Sequence, residues 1–133
     1  MRSRIAIVLA AAAAVLAATP ASAHNAAFDS TIQITGQVGT VVNDYQYYGE
    51  VSSPRDGCIP GRTVKIFALT TDGRKLVDTD RTSRNGFFFG GGDFTPGGVE
   101  GVDGVRVKVL AEDIGPQGHD HICEADTDQQ GIA

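Results

Sequence analysis

The feature that most constrains this chain is a recurring alternation of polar and apolar residues with a period of two. The clearest case is the segment 105–109, in which three valines alternate with Arg106 and Lys108. Successive side chains of a β-strand point to opposite sides, so this pattern is typical of a strand with one buried face. No segment after residue 23 keeps a helical period, and the sequence therefore predicts a β-protein.

Shorter stretches of the same kind recur along the chain, separated by turn signals. Asp72-Gly73 and Asn85-Gly86 are such signals, because glycine accepts a positive φ at low cost. We expect Gly86 to turn the chain so that Phe87 and Phe89 return to the core. Six or seven short strands at this spacing predict an antiparallel β-sandwich. The first predicted strand begins at 31–35 and continues through Val38, Val41 and Val42. The others are 45–52, 62–71, 75–82, 87–89, 105–109 and a short one around 122–123.

The first 23 residues have the layout of a secretory signal peptide. Arg2 and Arg4 form a basic start, an uncharged apolar run covers residues 5–18, and Ala-Ser-Ala at 21–23 ends the segment. The run is shorter than the roughly 20 residues that a membrane-spanning helix needs. We expect cleavage after residue 23, with an uncleaved anchor as the alternative. A domain at 24–127 and a frayed polar tail at 128–133 would follow, in a secreted, extracellular or periplasmic protein with no stable membrane insertion.

Length and charge exclude several classes of function. The chain has 133 residues, enough for one domain, and a formal net charge of −5. Removal of residues 1–23 lowers the basic count from 11 to 9 and leaves 16 acidic residues, so the mature charge is −7. A chain this acidic lacks the positive footprint of a nucleic-acid-binding protein, and we expect no nucleic-acid partner.

Cys58 and Cys123 are the two cysteines of the chain. An even cysteine count in an exported chain favours a disulfide, and two cysteines allow one intramolecular pairing. Two free thiols or a bridge between molecules are the alternatives. A bond between Cys58 and Cys123 would stabilise the fold by roughly 4 kcal/mol through the entropy of the unfolded chain.

A series of short motifs continues from residue 48 to the end. It runs through Y-G-E-V at 48–51, Cys58, G-R-T-V at 61–64, T-S-R-N-G-F at 82–87 and a second cysteine near the C-terminus. This order resembles the small secreted carboxypeptidase-regulatory-like, transthyretin-like (prealbumin-like) β-sandwich modules, over residues 31–127. The resemblance implies an all-β, antiparallel Ig-like or prealbumin-like sandwich of about seven strands, with one disulfide between an early loop and the last strand. It implies an accessory or stand-alone secreted module without catalytic residues.

Three histidines form a candidate metal site. His24 would be the first residue after cleavage, and its amine and imidazole together can chelate copper. His119 and His121 have the spacing that places two imidazoles on one face of a strand. Alternatively, the glycines and proline at 115–118 make this segment a solvated loop, and no cofactor is bound.

Clustered aromatic residues provide a candidate ligand-binding surface. Tyr45, Tyr47 and Tyr48, together with the phenylalanines at 87–89, are six of the nine aromatic residues. Neighbours in a strand alternate faces, so some of these rings point outward, where they could bind a glycan or a protein. The alternative is that most of them fill the core of a protein that has no tryptophan.

We therefore expect a secreted, non-catalytic β-sandwich module that binds a protein or glycan at the cell exterior. An exported copper-binding protein using His24 is the first alternative. An enzyme on the same fold is the second, in which His119, His121 and two tyrosines would hold non-haem iron, although the surrounding motif does not match that family. The aspartates at 78, 80, 126 and 128 do not match an EF-hand spacing, and we interpret them as solvated loops.

Overall fold

The computed structural model describes residues 25–39, 45–92, 101–116 and 118–131, and these residues form an all-β protein. They contain ten strands, one 3₁₀ turn at Asp56–Cys58 and no α-helix. The strands are β1 (Ala26–Phe28), β2 (Thr31–Val38), β3 (Tyr45–Ser52), β4 (Thr63–Thr70), β5 (Gly73–Arg81), β6 (Phe87–Gly92), β7 (Val102–Val109), β8 (Glu112–Asp113), β9 (His121–Cys123) and β10 (Asp126–Gly131).

Two antiparallel sheets contain seven of these strands. One sheet has the order β10-β7-β4-β5 and the other has the order β2-β3-β6. A third, small sheet has the order β1-β9-β8, and in it β1 runs parallel to β9. The prediction of an all-β protein with antiparallel sheets is confirmed. The predicted strands omitted β1, β8 and β10, so the expected count of about seven was too low.

The two larger sheets share one apolar core. Val64, Ile66 and Ala68 of β4 and the valines of β7 at 105, 107 and 109 are completely buried, as the alternation predicts. One cluster joins them to β2, β3 and β6. Its members are Ile32, Tyr47, Val51, Val64, Ile66, Phe88, Val105, Val107 and Val109.

The orientation of the β6 phenylalanines is opposite to the expected one. Phe88 is 2% exposed, whereas Phe87 and Phe89 are 55% and 50% exposed. Phe88 lies opposite Gly49 of β3, and a Cβ on Gly49 would lie 2.7 Å from Cζ of the Phe88 ring. The ring of Phe88 thus fills the space above a glycine, and the pleat of the strand turns its two neighbours outward.

Both predicted glycine turns are present. Gly73 has a φ of 126° where the β4–β5 hairpin turns back, and Gly86 has a φ of 87° just before β6. The Gly86 N–H donates to the Ser83 carbonyl at 3.0 Å, and its own carbonyl accepts from the Val51 N–H at 2.8 Å. A Cβ on Gly86 would lie 2.2 Å from the Val51 carbonyl oxygen, so this turn requires glycine both for its φ and for space.

The C-terminal segment is a strand and not the frayed tail that the sequence predicts for 128–133. β10 pairs with β7 along its whole length, from Asp126 opposite Val109 to Gly131 opposite Gly104. Residues 132 and 133 lie outside the described residues. β10 has no large apolar side chain, so it is held by this backbone pairing and by carboxylates that reach the other sheet.

Two Asp-Thr-Asp segments connect the edges of the two large sheets. In β10, Asp126 accepts a hydrogen bond from the Ile32 N–H and Asp128 accepts one from the Ile34 N–H, both at 2.9 Å. We call this contact the β2–β10 seam. The four aspartates that we expected in solvated loops therefore lie on edge strands.

The second such contact is the β5–β6 seam. Asp78 accepts from the Gly91 N–H at 3.0 Å, and Asp80 accepts from the Phe89 N–H at 2.8 Å. Each seam thus satisfies backbone donors that an edge strand would otherwise expose.

The predicted signal peptide at 1–23 lies outside the described residues. Within the part of the chain that is described, no helix has the length and apolar character needed to cross a membrane.

Candidate functional site

The predicted disulfide is present. Cys58 and Cys123 are bonded, with their Cα atoms 5.4 Å apart, and both side chains are completely buried. The bond links the 3₁₀ turn after β3 to the end of β9. Disulfides form and persist in oxidising environments, so this bond indicates a compartment other than the cytoplasm.

A completely buried arginine, Arg62, lies beside the disulfide. Its Nη1 donates to the carbonyl oxygen of Cys58 at 2.6 Å and to Oγ of Ser30 at 2.9 Å. Its Nη2 donates to the carbonyl oxygens of Leu110 at 2.7 Å and Glu124 at 3.1 Å. One guanidinium therefore holds four chain segments together at this end of the molecule.

The charge of Arg62 is only partly compensated. The Glu112 carboxylate lies 3.7 Å from Nε, which has no hydrogen-bond partner. Burial lowers the pKa of Arg62, and the nearby Glu112 opposes that change. A group with no exposed surface does not contact a ligand, so we assign Arg62 a structural role. Arg62 was not among the residues predicted from the sequence, although its spacing from Val64 and Ile66 places it on the buried side of β4.

The two described histidines, His119 and His121, lie at one end of the β1-β9-β8 sheet. His119 is exposed and His121 is half-buried, with ring centroids 6.4 Å apart. The His121 ring also packs edge-on against Phe28 at 6.0 Å. Within the described ranges, no group of three or more His, Cys, Asp or Glu side chains could hold a metal ion. His24, the other predicted ligand, lies outside those ranges.

Of the three predicted ligand-facing tyrosines, one reaches the surface. Tyr48 is 41% exposed, but Tyr47 is completely buried and Tyr45 is half-buried against the core. Tyr47 and Tyr45 share the inward parity of Gly49 and Val51 in β3. Burial raises the pKa of Tyr47, and electrostatic repulsion from Tyr45 raises it to a smaller extent. The Tyr47 hydroxyl has no hydrogen-bond partner.

A row of apolar side chains covers the outer face of the β2-β3-β6 sheet. We call this surface the aromatic face; it contains four of the five large hydrophobic residues exposed in the described ranges. Tyr48 lies directly opposite Phe89 and, on its other side, opposite Gly36. A Cβ on Gly36 would lie 2.1 Å from the Tyr48 hydroxyl oxygen, so the Tyr48 side chain occupies the space that this glycine leaves. The members are Val38, Tyr48, Phe87 and Phe89.

Polar side chains border the aromatic face. Glu50 of β3 lies between Gln33 of β2 and Phe87 of β6, and Gln46 lies opposite Val38. The surface therefore has an apolar centre that crosses three strands and a margin able to form hydrogen bonds.

Comparisons of the chain with protein-family models, with curated proteins and with solved structures find no match.

Proposed function

We propose that this chain is an exported, non-catalytic β-sandwich module that binds a protein partner through the aromatic face. The observation that carries the proposal is the concentration of exposed apolar side chains on one sheet. Single exposed hydrophobic residues are common on protein surfaces, but a contiguous group with a polar border is typical of a binding surface.

The chemistry of the aromatic face favours a protein over a glycan. Phe87 and Phe89 are its most exposed rings and have no polar atom with which to orient a sugar hydroxyl. Aromatic residues are enriched at the centre of protein interfaces, where they supply most of the binding energy, whereas polar groups surround them. The arrangement of Tyr48, Phe89 and Glu50 fits that pattern.

Export and family membership remain part of the proposal. The signal-peptide layout of residues 1–23 and the Cys58–Cys123 bond support export. The motifs from residue 48 onward support a carboxypeptidase-regulatory-like, transthyretin-like module. Modules of that kind act by binding, and their fold alone does not name a ligand.

The test compares three substitutions in the purified, disulfide-bonded protein. Phe87→Ser and Phe89→Ser change the aromatic face, and Leu76→Ser is the control because Leu76 is 47% exposed on the other sheet. We expect one cell-surface protein to be retained by the unsubstituted protein and by the control. We expect the affinity of each phenylalanine variant for this purified partner to be about tenfold or more lower than that of the unsubstituted protein, which corresponds to about 1.4 kcal/mol.

Two outcomes would overturn this proposal. Equal affinity of all three variants for the partner would remove the aromatic face from the interface. Binding to a purified cell-surface polysaccharide, lost in Phe87→Ser and Phe89→Ser, would assign the face to a glycan.

A copper site is the second candidate function, and the parallel pairing of β1 with β9 favours it. Ala26 lies in register with His121, and the Ala26 N–H donates to the Asp120 carbonyl at 2.9 Å. Two residues of chain span at most about 7 Å, so cleavage before His24 would tether an amine and an imidazole close to His121. Amine and imidazole nitrogens suit copper.

Calorimetric titration with Cu²⁺ tests this second function. We expect the mature chain to bind copper at least about tenfold more tightly than a form with an additional methionine before His24, and His121→Ala to weaken binding similarly. Equal affinity of the mature and extended forms would exclude His24 as a ligand.

A further inference from the structure

The outer face of the β10-β7-β4-β5 sheet concentrates positive charge in an otherwise acidic chain. Register and burial place five cations at outward positions, where they alternate with the buried residues of the same strands. They are five of the nine Lys and Arg residues that follow residue 23. We call this surface the basic face; its cations are Lys65, Arg74, Arg81, Arg106 and Lys108.

Among the described residues, no acidic side chain forms an ion pair with the cations of the basic face. In β5, Asp78 and Asp80 lie opposite the buried Ile66 and Val64, and therefore point inward. The aspartates of β10 likewise lie opposite buried valines of β7. In the part of the chain that the structure describes, Arg62 and Glu112 form the one salt bridge, so none of the five cations is paired with a carboxylate.

Two of the cations face each other directly. Lys65 of β4 lies opposite Lys108 of β7 in the centre of the sheet. Like charges at opposite positions destabilise a sheet, and an anion bound between them removes that cost. Next to them, Nε and Nη2 of Arg106 both donate to Oε1 of Gln129, at 3.2 and 2.8 Å, which fixes the orientation of the guanidinium.

The spacing of these cations suits a polymer better than a single small anion. Alternate residues of a strand are about 7 Å apart and neighbouring strands are about 5 Å apart, so the charges form a flat array and do not converge on one point. Hydroxyl and amide groups occupy other outward positions of the same array and can bind sugar hydroxyls. These residues are Thr63, Thr79, Thr127 and Gln129.

The basic face lacks the features of a nucleic-acid or membrane surface. Proteins that bind single-stranded nucleic acid stack bases on open aromatic rings, but Phe67 is covered by the Arg74 guanidinium at 4.9 Å from its centroid. Leu76 is the one large hydrophobic residue that is well exposed there among the described residues, which is little for insertion into lipid. We propose that the basic face binds an acidic polysaccharide through its carboxylate groups.

This inference goes beyond the proposed function and is independent of it, because it concerns the opposite sheet. The probe is polygalacturonate, with dextran as the uncharged control, and binding to the purified full protein is measured at low and at high salt. We expect binding to polygalacturonate alone, and we expect added salt to weaken it, since exposed charges are screened.

The informative variant is Lys65→Gln/Lys108→Gln, and its matched control is Arg55→Gln/Arg84→Gln, which removes the same charge outside the basic face. We expect the first to weaken binding about tenfold and the control to change it by less than about twofold. Thermal unfolding checks that both remain folded, and loss of the like-charge pair keeps or raises the midpoint of Lys65→Gln/Lys108→Gln.

Several results would overturn the inference. Failure of polygalacturonate to bind, or equal weakening by the two double variants, would remove the basic face as its site. Tighter binding to oligodeoxythymidylate or to phosphatidylglycerol vesicles would assign the face to a different polyanion. Phe89→Ser separates the two proposals, because it changes the aromatic face and leaves polygalacturonate binding unchanged.

Discussion

Arg62 shows how one side chain can organise the end of a β-protein. A buried charge is costly unless hydrogen bonds compensate for the lost water, and here three backbone carbonyls and one hydroxyl do so. Lysine keeps the charge but presents a single ammonium in place of a planar fork. We expect Arg62→Lys to lower the free energy of unfolding by about 2–4 kcal/mol, measured by urea denaturation.

The control for this substitution is Arg84→Lys, in the exposed turn before β6. Exposed substitutions of this kind usually change stability by less than about 0.5 kcal/mol. Equal effects of the two variants would show that the hydrogen bonds of Arg62 contribute little.

Tyr47 provides a second prediction at the residue scale. Its buried hydroxyl has no partner, so we expect Tyr47→Phe to raise the free energy of unfolding by about 1 kcal/mol at neutral pH. Burial raises the pKa of Tyr47 in the folded protein, so above pH of about 10 the unfolded chain releases a proton that the folded protein retains. The free energy of unfolding of the unsubstituted protein therefore falls as pH rises through that range, and that of Tyr47→Phe falls less.

Chemical denaturation at about pH 7 and about pH 10.5 measures both effects. The advantage of Tyr47→Phe should widen at the higher pH. A substitution that destabilises the protein at both values would mean that the hydroxyl has a favourable interaction in the folded state.

At the residue scale, the alternation in the sequence predicted which positions of β4 and β7 face the core. It did not predict that an arginine would be buried or which of three consecutive phenylalanines would point inward. The inward positions of β4 and β7 follow from simple alternation. Arg62 continues the inward parity of β4, but an arginine is so rarely buried that its spacing alone did not identify it. The three consecutive phenylalanines contain no alternation of polarity, and the space above Gly49, which decides their orientation, comes from a strand far away in sequence.

At the scale of whole strands, the β2–β10 seam and the β5–β6 seam join the edges of the two large sheets. Among the described residues, no backbone hydrogen bond links the edges of the two large sheets, and carboxylates accept from the exposed N–H groups instead. Inward-pointing charges on edge strands also protect against edge-to-edge association. The seams therefore serve both the stability of the fold and the solubility of its edges.

We expect Asp126→Ala and Asp128→Ala each to lower the free energy of unfolding by about 1–3 kcal/mol, because each leaves a backbone N–H without its charged acceptor. Hydrogen exchange should accelerate at the amide of Ile32 in Asp126→Ala and at that of Ile34 in Asp128→Ala. The corresponding Asn variants retain an acceptor oxygen and should lose less.

Asp120→Ala is the control, since the Asp120 side chain is exposed and its backbone carbonyl, which β1 uses, is retained. Unchanged exchange at Ile32 and Ile34 in the seam variants would contradict the assigned role.

The seams also explain which elements the sequence failed to predict. β10 is almost entirely polar, so it carries no apolar alternation, and its pairing with β7 becomes visible only when β7 is in place. β1 and β8 have three and two residues, too few for a pattern to be read. The sequence did not show a role for Asp78 and Asp126, because the backbone N–H groups that donate to them lie on another sheet.

On the scale of the whole molecule, the two large sheets present different chemistry on their outer faces. The β2-β3-β6 sheet carries the aromatic face, and the β10-β7-β4-β5 sheet carries the basic face. The sequence shows the cluster of aromatic residues to which Tyr48, Phe87 and Phe89 belong, but we expected Phe87 and Phe89 to point into the core. The basic face needed the cross-strand register, because Lys65 and Lys108 are distant in sequence and opposite each other in the sheet.

The disulfide and Arg62 hold the same two chain segments at one end of the molecule. The Cys58–Cys123 bond closes a loop with a sequence separation of 65, so its removal in Cys58→Ala/Cys123→Ala should lower the free energy of unfolding by about 4 kcal/mol. Arg62 donates to the Cys58 carbonyl and to the Glu124 carbonyl beside Cys123, and so depends on the same two segments. We therefore expect non-additivity when Arg62→Lys is combined with the cysteine variant: the combined loss measured by urea denaturation should be smaller than the sum of the separate losses by at least about 0.5 kcal/mol. Additive losses would show that the bond and the guanidinium hold this end of the protein independently.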